Sequence, residues 1–569
     1  MINHTLTWVV DQIAQDQSLS SQLLLTMMEI PPDFHKGDRA IPCFRFAKEK
    51  KCSPDQIAKQ WKALLEQKGL PDALEKVEAA GGYLNLFFRP EFLAKQVLTS
   101  IHNDPAHYGF EKKDKRPIVV LEFSSPNIAK PFSIGHLRST NLGACLSRIF
   151  EARGWKVVKI NHLGDWGTQF GKLIAAYRRW GKADQLGQDP IRSLFRLYVK
   201  FHEEEDKDAT LLQEARENFA KLEQKDSEAQ ELWQWFRDMT LKELKTLYDK
   251  LSIEFDYYWG ESFYMDQIQG LIQELETKHI ATESEGALVV DLKDENRGMA
   301  LLRKADDSSL YLTRDLAAAI YRHQQFHFDQ MIYVVGSEQQ LHFQQLFSIL
   351  QKMGHGWAKQ CEHVNFGQIS FGDERMSTRK GNVVFLSDVL ERATAMAKSI
   401  VLEKNPQLEN IDEVAQQVGL GAVLFADLSA RRTKSVKFSW EDILSFDGET
   451  GPYLQYAYVR TCSLLSRYDK DVELIEDFHA ISTVEEQQLI RKLSHFEHAL
   501  KKAEREREPF VLGQYLIDLT KTFNRFYQAV RILDTESEQL KARILLVYAT
   551  SKVLESGMNI LGIPRPEKM

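Results

Sequence analysis

Two basic, hydroxyl-bearing loops are the segments of this chain best suited to chemistry. The first is Ser124-Ser125-Pro126-Asn127-Ile128-Ala129-Lys130-Pro131-Phe132-Ser133-Ile134-Gly135-His136-Leu137-Arg138. It lies between a short apolar run, Ile118 to Phe123, and a helical pattern that begins near Ile134. At such a helix start the free backbone N–H groups and the helix dipole favour an anion. Gly135 would let a flat group such as adenine lie against the backbone. Lys130 and His136 can donate to phosphate oxygens as charge moves onto them. There is no G-x-x-x-x-G-K-[ST] and no complete G-x-G-x-x-G, so the loop is neither a P-loop nor a dinucleotide fingerprint. The second loop, Arg375-Met376-Ser377-Thr378-Arg379-Lys380-Gly381-Asn382, sets cations and hydroxyls between apolar segments. A basic loop of this kind can close over a triphosphate and neutralise the developing pyrophosphate. Alone, the first is a helix start with one polar histidine and the second a solvated turn. Together they point to nucleotide chemistry.

The elements around the first loop form a βαβ pattern. Ile118–Phe123 reads as a strand, about Ile134 to Arg153 as a helix stopped by Gly154, and Trp155–Leu163 as a returning strand. Such alternation predicts a parallel sheet with a ligand at the carboxyl end of the first strand. The α/β pattern resumes through Leu288–Asp291 and Met331–Gly336. Before that resumption, residues 177 to about 280 read as a helical insertion. Leu211, Leu212, Ala215, Phe219 and Leu222 share one helical stripe there, and Leu232, Trp235, Phe236 and Met239 another. Residues 1–112 read as a small α/β module ending in the turn and β-prone run Gly81 to Phe88, with Glu111 to Arg116 as a linker. From about Ala430 the pattern is helical, with Leu545, Tyr548, Leu554, Met558 and Leu561 on one stripe. The expected fold is therefore α/β. A Rossmann-like parallel-sheet domain over 113–429 would carry the insertion, between an N-terminal α/β module and an all-α C-terminal bundle over 430–569.

Bulk properties limit the function. A chain of 569 residues calls for three or four domains. No apolar run is long enough to span a membrane, and Met1 to Val10 lacks the basic and apolar regions of a secretory signal. A cytoplasmic location is expected. Cys43, Cys52, Cys145, Cys361 and Cys462 form no C-x-x-C pair, which favours reduced structural thiols and no structural metal. The net charge of −8 exerts no global pull on nucleic acid, so a nucleic-acid binder would need local basic patches.

The two loops resemble the HIGH and KMSKS signatures of class I aminoacyl-tRNA synthetases. The stretch Ser125-Pro126-Asn127-Ile128-Ala129-Lys130 resembles the arginine enzymes in particular. So do Gly164-Asp165-Trp166-Gly167-Thr168-Gln169-Phe170-Gly171, Trp259-Gly260-Glu261-Ser262, Tyr311-Leu312-Thr313-Arg314-Asp315, Gly451-Pro452-Tyr453-Leu454-Gln455-Tyr456-Ala457 and Leu561-Gly562-Ile563-Pro564. The resemblance covers nearly the whole chain. It departs at Ser133, where the family usually has the first histidine of HIGH. The second loop also lacks the usual second lysine, a loss common in this family for which the Lys130 position is thought to compensate.

The resemblance implies arginine, ATP with Mg2+ and arginine tRNA as substrates. It assigns catalysis to Lys130, His136, Arg379 and Lys380, and nucleotide contacts to Ser133, Gly135, His136, Met376, Ser377 and Thr378. A planar guanidinium is best read by carboxylates, and the resemblance points to Asp315 and Glu261 with Tyr311 beside them. Ser125, Asn127 and Gln339 would hold the amino and carboxylate ends of the amino acid. Pro126 and His136 line the same site, and Glu122 supports it. The implied reaction is in-line attack of the arginine carboxylate on the α-phosphate, then transfer to the 2′-hydroxyl of the terminal adenosine, with no covalent enzyme intermediate. Polar selection of this kind discriminates by roughly 10⁴ or more, which makes editing unnecessary. The insertion would then support the acceptor stem.

For the tRNA, the C-terminal part offers Arg431, Arg432, Lys434 and Lys437, then Tyr453, Gln455, Tyr456 and Arg460, cations and flat rings suited to phosphates and splayed bases. Tyr458 reads better as helix core. By resemblance the C-terminal bundle binds the anticodon, the N-terminal module touches the tRNA elbow, and the protein is a monomer. Three alternatives stand beside this. A cysteinyl-tRNA synthetase would need zinc ligands, and a small adenylyltransferase has no use for the helical C-terminus. A non-catalytic RNA-binding paralogue is favoured only by Ser133.

Overall fold

The centre of the chain is organised by short β-branched runs that must be buried on both faces. In the computed structural model, which describes residues 2–17, 19–181, 189–205, 207–208, 210–303, 311–371, 383–535 and 537–569, five such runs form one parallel sheet. Its order across the sheet is Cys361–His363, Gln330–Tyr333, Ile118–Glu122, Lys156–Asn161 and Tyr257–Tyr258. Val120 lies opposite Val158 on one side and Met331 on the other. All-parallel strands of this kind are covered on both faces and read as continuous apolar runs. The chain leaves Ile118–Glu122 toward one edge and later returns to its other side. That reversal opens a crevice at the carboxyl end of this strand.

The helix Ile134–Ala152 makes the first crossover. A Cβ on Gly143 would fall 2.1 Å from the Phe123 ring, so this glycine sets how closely helix and strand approach. Gly154, at φ +75°, ends the helix in a conformation that costs glycine little.

Two expectations about the middle of the chain change. The helical insertion comprises Thr168–Trp180, Pro190–Glu205, Thr210–Glu223 and Ser227–Lys250, and ends there rather than near residue 280. Asp256 returns the chain to the sheet, its carboxylate accepting the Lys159 N–H at 2.7 Å and its own N–H donating to the Lys159 carbonyl at 3.0 Å. Within the insertion Leu211, Ala215, Phe219 and Leu222 are buried, whereas Leu212 faces solvent. The run at Leu288 does not join the parallel sheet. Ala287–Asp291 lies between Thr282–Ser284 and Met299–Arg303 in an antiparallel sheet. Its connections are too short for a parallel crossover. The face bearing Leu288, Val290, Ala300 and Leu302 packs into the same core as Val120 and Ile160.

The N-terminal module pairs Tyr83–Phe88 with Leu74–Ala80 and with Arg39–Pro42, all antiparallel. Buried Asp38 accepts from the Phe88 N–H and from Arg491 Nε, both at 2.8 Å, and so ties this module to the C-terminal bundle. That bundle contains Gly451–Tyr468, Val484–Leu493, Phe496–Glu506, Pro509–Ala529 and Ser537–Leu561. The region beyond Ala430 is not wholly helical, because Val436–Phe438 pairs in parallel with Ile369–Phe371. Among the described residues no helix is long and apolar enough to cross a membrane.

Gly143→Ala is expected to destabilise the protein by about 1–3 kcal/mol through overpacking, read as a lower urea midpoint. Gly270→Ala, where a Cβ meets nothing within 4 Å, should be neutral or slightly stabilising.

Candidate active site

The loop after Ile118–Glu122 is held in an unusual backbone shape. Ser124, Ser125 and Ala129 have φ of +72°, +48° and +58°, a region that residues with a Cβ enter only when their surroundings force it. The forcing contacts come from three sides. Ser124 N–H donates to Ser139 Oγ at 3.0 Å, and the Ser124 hydroxyl lies 2.7 Å from Tyr248 Oη. Ala129 N–H donates to Thr240 Oγ1 at 3.0 Å, and Ile128 N–H to the Gly164 carbonyl at 3.1 Å. Tyr248 and Thr240 both belong to Ser227–Lys250, so the last insertion helix braces the loop. Neither Tyr248 nor Thr240 was singled out from sequence, because hydroxyls inside an amphipathic helix look like ordinary solvated positions.

At the start of the motif helix, Ser133 and His136 close on each other. His136 Nδ1 accepts from the Ser133 N–H at 3.1 Å and from its hydroxyl at 2.9 Å. Since the amide can only donate, the neutral ring carries its proton on Nε2. Burial, then the Lys130 cation, push His136 down to about 4. His136 therefore offers a neutral N–H donor near pH 7. Ser133, expected among the nucleotide contacts, is buried and spends its hydroxyl on His136, so it positions the histidine instead. Gly135 is exposed on the first helical turn, and Lys130 lies over the Tyr198 ring at 5.0 Å.

Arg375, Met376, Ser377, Thr378, Arg379 and Lys380 lie outside the described residues. The chain just beyond them is fixed to the first loop: Ile134 N–H donates to the Val384 carbonyl and Leu386 N–H to the Phe132 carbonyl, each at 3.0 Å.

Three carboxylates gather near the carboxyl edge of the sheet. Glu122 is buried and paired with Arg322, whose other nitrogens lie 3.2 Å from Tyr264 Oη and 3.2 Å from His162 Nδ1. Glu122 thus supports the site through Arg322 and is closed to a ligand. Glu261 is also buried and is paired with Arg314. Burial pushes it up to about 7 although Arg314 pulls the other way. Glu261, expected to face the substrate guanidinium, is instead paired with the chain's own Arg314, whose guanidinium also lies 5.0 Å from the Tyr311 ring. Tyr311 itself is 58% exposed. Asp315 has neither arginine: His342 Nε2 is 2.6 Å from one oxygen and His162 Nε2 3.5 Å from the other. Although burial favours its neutral form, those histidines hold Asp315 well below the usual carboxylate range.

The remaining expected contacts are spread more widely. Ser125 Oγ is buried with no hydrogen-bond partner among the described residues. Asn127 Oδ1 accepts from Gln169 at 3.5 Å, and a Cβ on Gly164 would come within 2.3 Å of the same oxygen. The Pro126 carbonyl accepts from Gly164 N–H at 3.0 Å. Gln339 is exposed in the turn Ser337–Gln339 after strand Gln330–Tyr333. Arg322, Arg314, His162 and His342 were missed. His162 directly follows the strand Lys156–Asn161, the one signal that could have found it, whereas His342 lies in the first turn of the helix Gln340–Lys352.

In the bundle, Tyr453 and Arg460 meet at Asn524, with the Tyr453 hydroxyl accepting at 3.0 Å. The Arg460 guanidinium lies 5.0 Å from the Tyr456 ring and 4.5 Å from that of Tyr527, and Tyr456 is exposed. Tyr458 is core, as expected. Gln455 is corrected: it is fully buried, and its amide donates to the Gln417 and Pro564 carbonyls, both at 2.9 Å, so it locks the bundle rather than facing a ligand.

Arg322→Ala would strand buried Glu122, and a loss of about 3–5 kcal/mol in urea unfolding is expected. The double variant Glu122→Leu with Arg322→Met, which removes both charges, should lie much closer to wild type.

Comparison with known proteins matches three segments of the chain. Residues 97–440 match the family model of the class I tRNA synthetases (R) catalytic domain, residues 454–569 the DALR anticodon binding domain, and residues 4–88 the arginyl tRNA synthetase N-terminal domain. The chain is 45% identical over 562 residues to the arginine–tRNA ligase of Halothermothrix orenii, covering 99% of each. It is 44% identical over 553 residues to that of Clostridioides difficile, covering 97% of each. The Thermus thermophilus arginyl-tRNA synthetase superposes with a TM-score of 0.85 at 26% identity, with full coverage of both chains. The chain belongs to the class I arginyl-tRNA synthetase family.

Proposed function

We propose that this chain activates arginine with ATP and transfers it to the 2′-hydroxyl of the terminal adenosine of arginine tRNA. The observation that carries the reading is the pairing of two features at one sheet edge. One is a helix start presenting neutral His136 to an anion. The other is Asp315, an ionised carboxylate that no arginine among the described residues pairs with.

ATP enters as substrate with its Mg2+. His136 donates Nε2–H, and Lys130 its ammonium, to the phosphate oxygens as charge develops, while the helix start contributes backbone N–H groups. Arg379 and Lys380 are assigned the same task on the departing pyrophosphate, with Met376, Ser377 and Thr378 at the nucleotide. Asp315 takes the guanidinium, with Tyr311 at its rim. Ser125 and Asn127 take the amino end, and Gln339 the carboxylate end. Tyr453, Tyr456 and Arg460 form the anticodon-side contact, the N-terminal module meets the elbow, and the insertion supports the acceptor stem. The reading includes a monomer working in the cytoplasm.

The test is arginine-dependent ATP–pyrophosphate exchange with and without arginine tRNA. Exchange that appears on adding tRNA is the expected result. Absence of exchange in both conditions, from folded protein that still binds tRNA, would contradict it in favour of a non-catalytic RNA-binding protein.

A further inference from the structure

Asp315 differs from the other two carboxylates in what holds it. Glu122 and Glu261 are each closed by a guanidinium that cannot lose its charge, Arg322 and Arg314. Asp315 is held, among the described residues, by two imidazoles whose charge can be removed. With both imidazoles neutral and all three carboxylates ionised, three carboxylates and two guanidiniums leave a single negative charge, the complement of one guanidinium. With either imidazole protonated, that charge is cancelled. For Glu261, pushed up to about 7 by burial, the ionised state holds toward the upper end of the neutral range.

We propose that His162 and His342 are positioning residues that present Asp315 to the arginine side chain and must be neutral for arginine to bind, so that the amino acid and a proton compete for this cluster. The inference rests on the arginine reading above and assigns that site two further residues. The geometry allows it. A carboxylate accepts about four hydrogen bonds, so neutral Nε2–H donors at 2.6 and 3.5 Å leave room for a forked guanidinium on the same oxygens. An imidazolium there sets one cation against another across a few ångströms of poorly solvated space.

The surroundings decide which state each ring takes. His162 Nδ1 lies 3.2 Å from the Trp259 carbonyl and 3.2 Å from Arg322 Nη2. It can accept from the arginine when the ring is neutral, or donate to the carbonyl when the ring is charged. Glu122, Asp315 and Arg322 face His162, while Asp315 and Glu122 face His342. Among the described residues Glu261 also faces His162, His363 faces His342, and Tyr333, Tyr311 and Glu261 face Asp315, with Arg314 paired to Glu261. Burial pulls both imidazoles down, yet the carboxylates outweigh it and carry both above the ordinary histidine value. The charged forms therefore persist to a higher pH than in a free histidine. Arginine binding should weaken as pH falls through that range.

The experiment is calorimetric titration of the full chain with arginine, with and without the tRNA, between about pH 6 and 8, where the substrate guanidinium does not titrate. Paired buffers of different ionisation enthalpy count the protons released. For wild type, Kd should rise as pH falls, by up to about tenfold per pH unit for one competing proton, with proton release on binding. His342→Gln keeps an N–H donor and cannot charge. It should flatten the pH profile and cut proton release, while holding Kd near pH 8 within about threefold of wild type. His162→Gln serves as the second variant, with the same expected direction. A pH-independent wild-type Kd would overturn the proposal, as would wild-type slopes in both variants. Failure of wild type to bind arginine at any pH, even with the tRNA, would instead remove the arginine reading on which this rests.

Discussion

A pocket that selects a guanidinium must keep the chain's own guanidiniums from filling it. At the proposed arginine site this is met by a division of partners beside the carboxyl end of the parallel sheet. Arg322 is fully buried and closes Glu122, and Arg314 closes Glu261. Each pair costs desolvation, so neither is there mainly for stability. Their effect is to give Glu122 and Glu261 permanent cationic partners and leave the third carboxylate, Asp315, with removable ones. Ordinary packing then protects the arrangement: Tyr264 lies against Arg322, and Asp165 accepts the Ser262 N–H at 2.9 Å and its hydroxyl at 2.8 Å, which fixes the turn carrying Glu261.

The phosphate-handling side depends on the same sheet through a different device. The loop from Ser124 to Ala129 stays strained only because Tyr248, Thr240, Ser139 and Gly164 hold it from separate elements. Asn161, at the end of the neighbouring strand, donates to the Tyr248 hydroxyl at 2.9 Å and joins the sheet to that brace. The insertion is thus part of the catalytic loop's foundation. A helix start can bind an anion anywhere, but a reacting phosphate needs one whose donors do not shift. Ser133 fits this logic, since replacing a phosphate donor with a hydroxyl turned onto His136 exchanges one contact for better orientation of another.

Much of this was legible from residue order. Ile118–Glu122, Ile134–Ala152 and Lys156–Asn161 follow from a β-branched run, a glycine stop and a second apolar run, because strands buried on both faces leave a strong pattern. Ala287–Asp291 was equally visible as a strand but not as a member of a separate antiparallel sheet, since an apolar run does not say which partner it will find. The insertion's end was misjudged because Met265–Thr277 has helical spacing too, and it is the pairing of Asp256 and of Tyr257–Tyr258 with the strand Lys156–Asn161 that separates them. At the site, the motif residues were legible as a set and their pairings were not. Glu261 and Gln455 looked like ligand contacts because nothing in a linear motif shows that Arg314 or two backbone carbonyls already occupy them.

The central claim is that Asp315 reads the substrate guanidinium while Glu261 acts only through Arg314. Steady-state KM for arginine in Asp315→Asn and Glu261→Gln tests it most directly. Asp315→Asn should raise that KM by roughly two orders of magnitude, the effect of losing a charged, forked contact in a poorly solvated site, with the KM for ATP little changed. Glu261→Gln should act mainly on stability, with a much smaller change in arginine KM. An Asp315→Asn enzyme with wild-type arginine KM, or one matched by Glu261→Gln, would contradict the account.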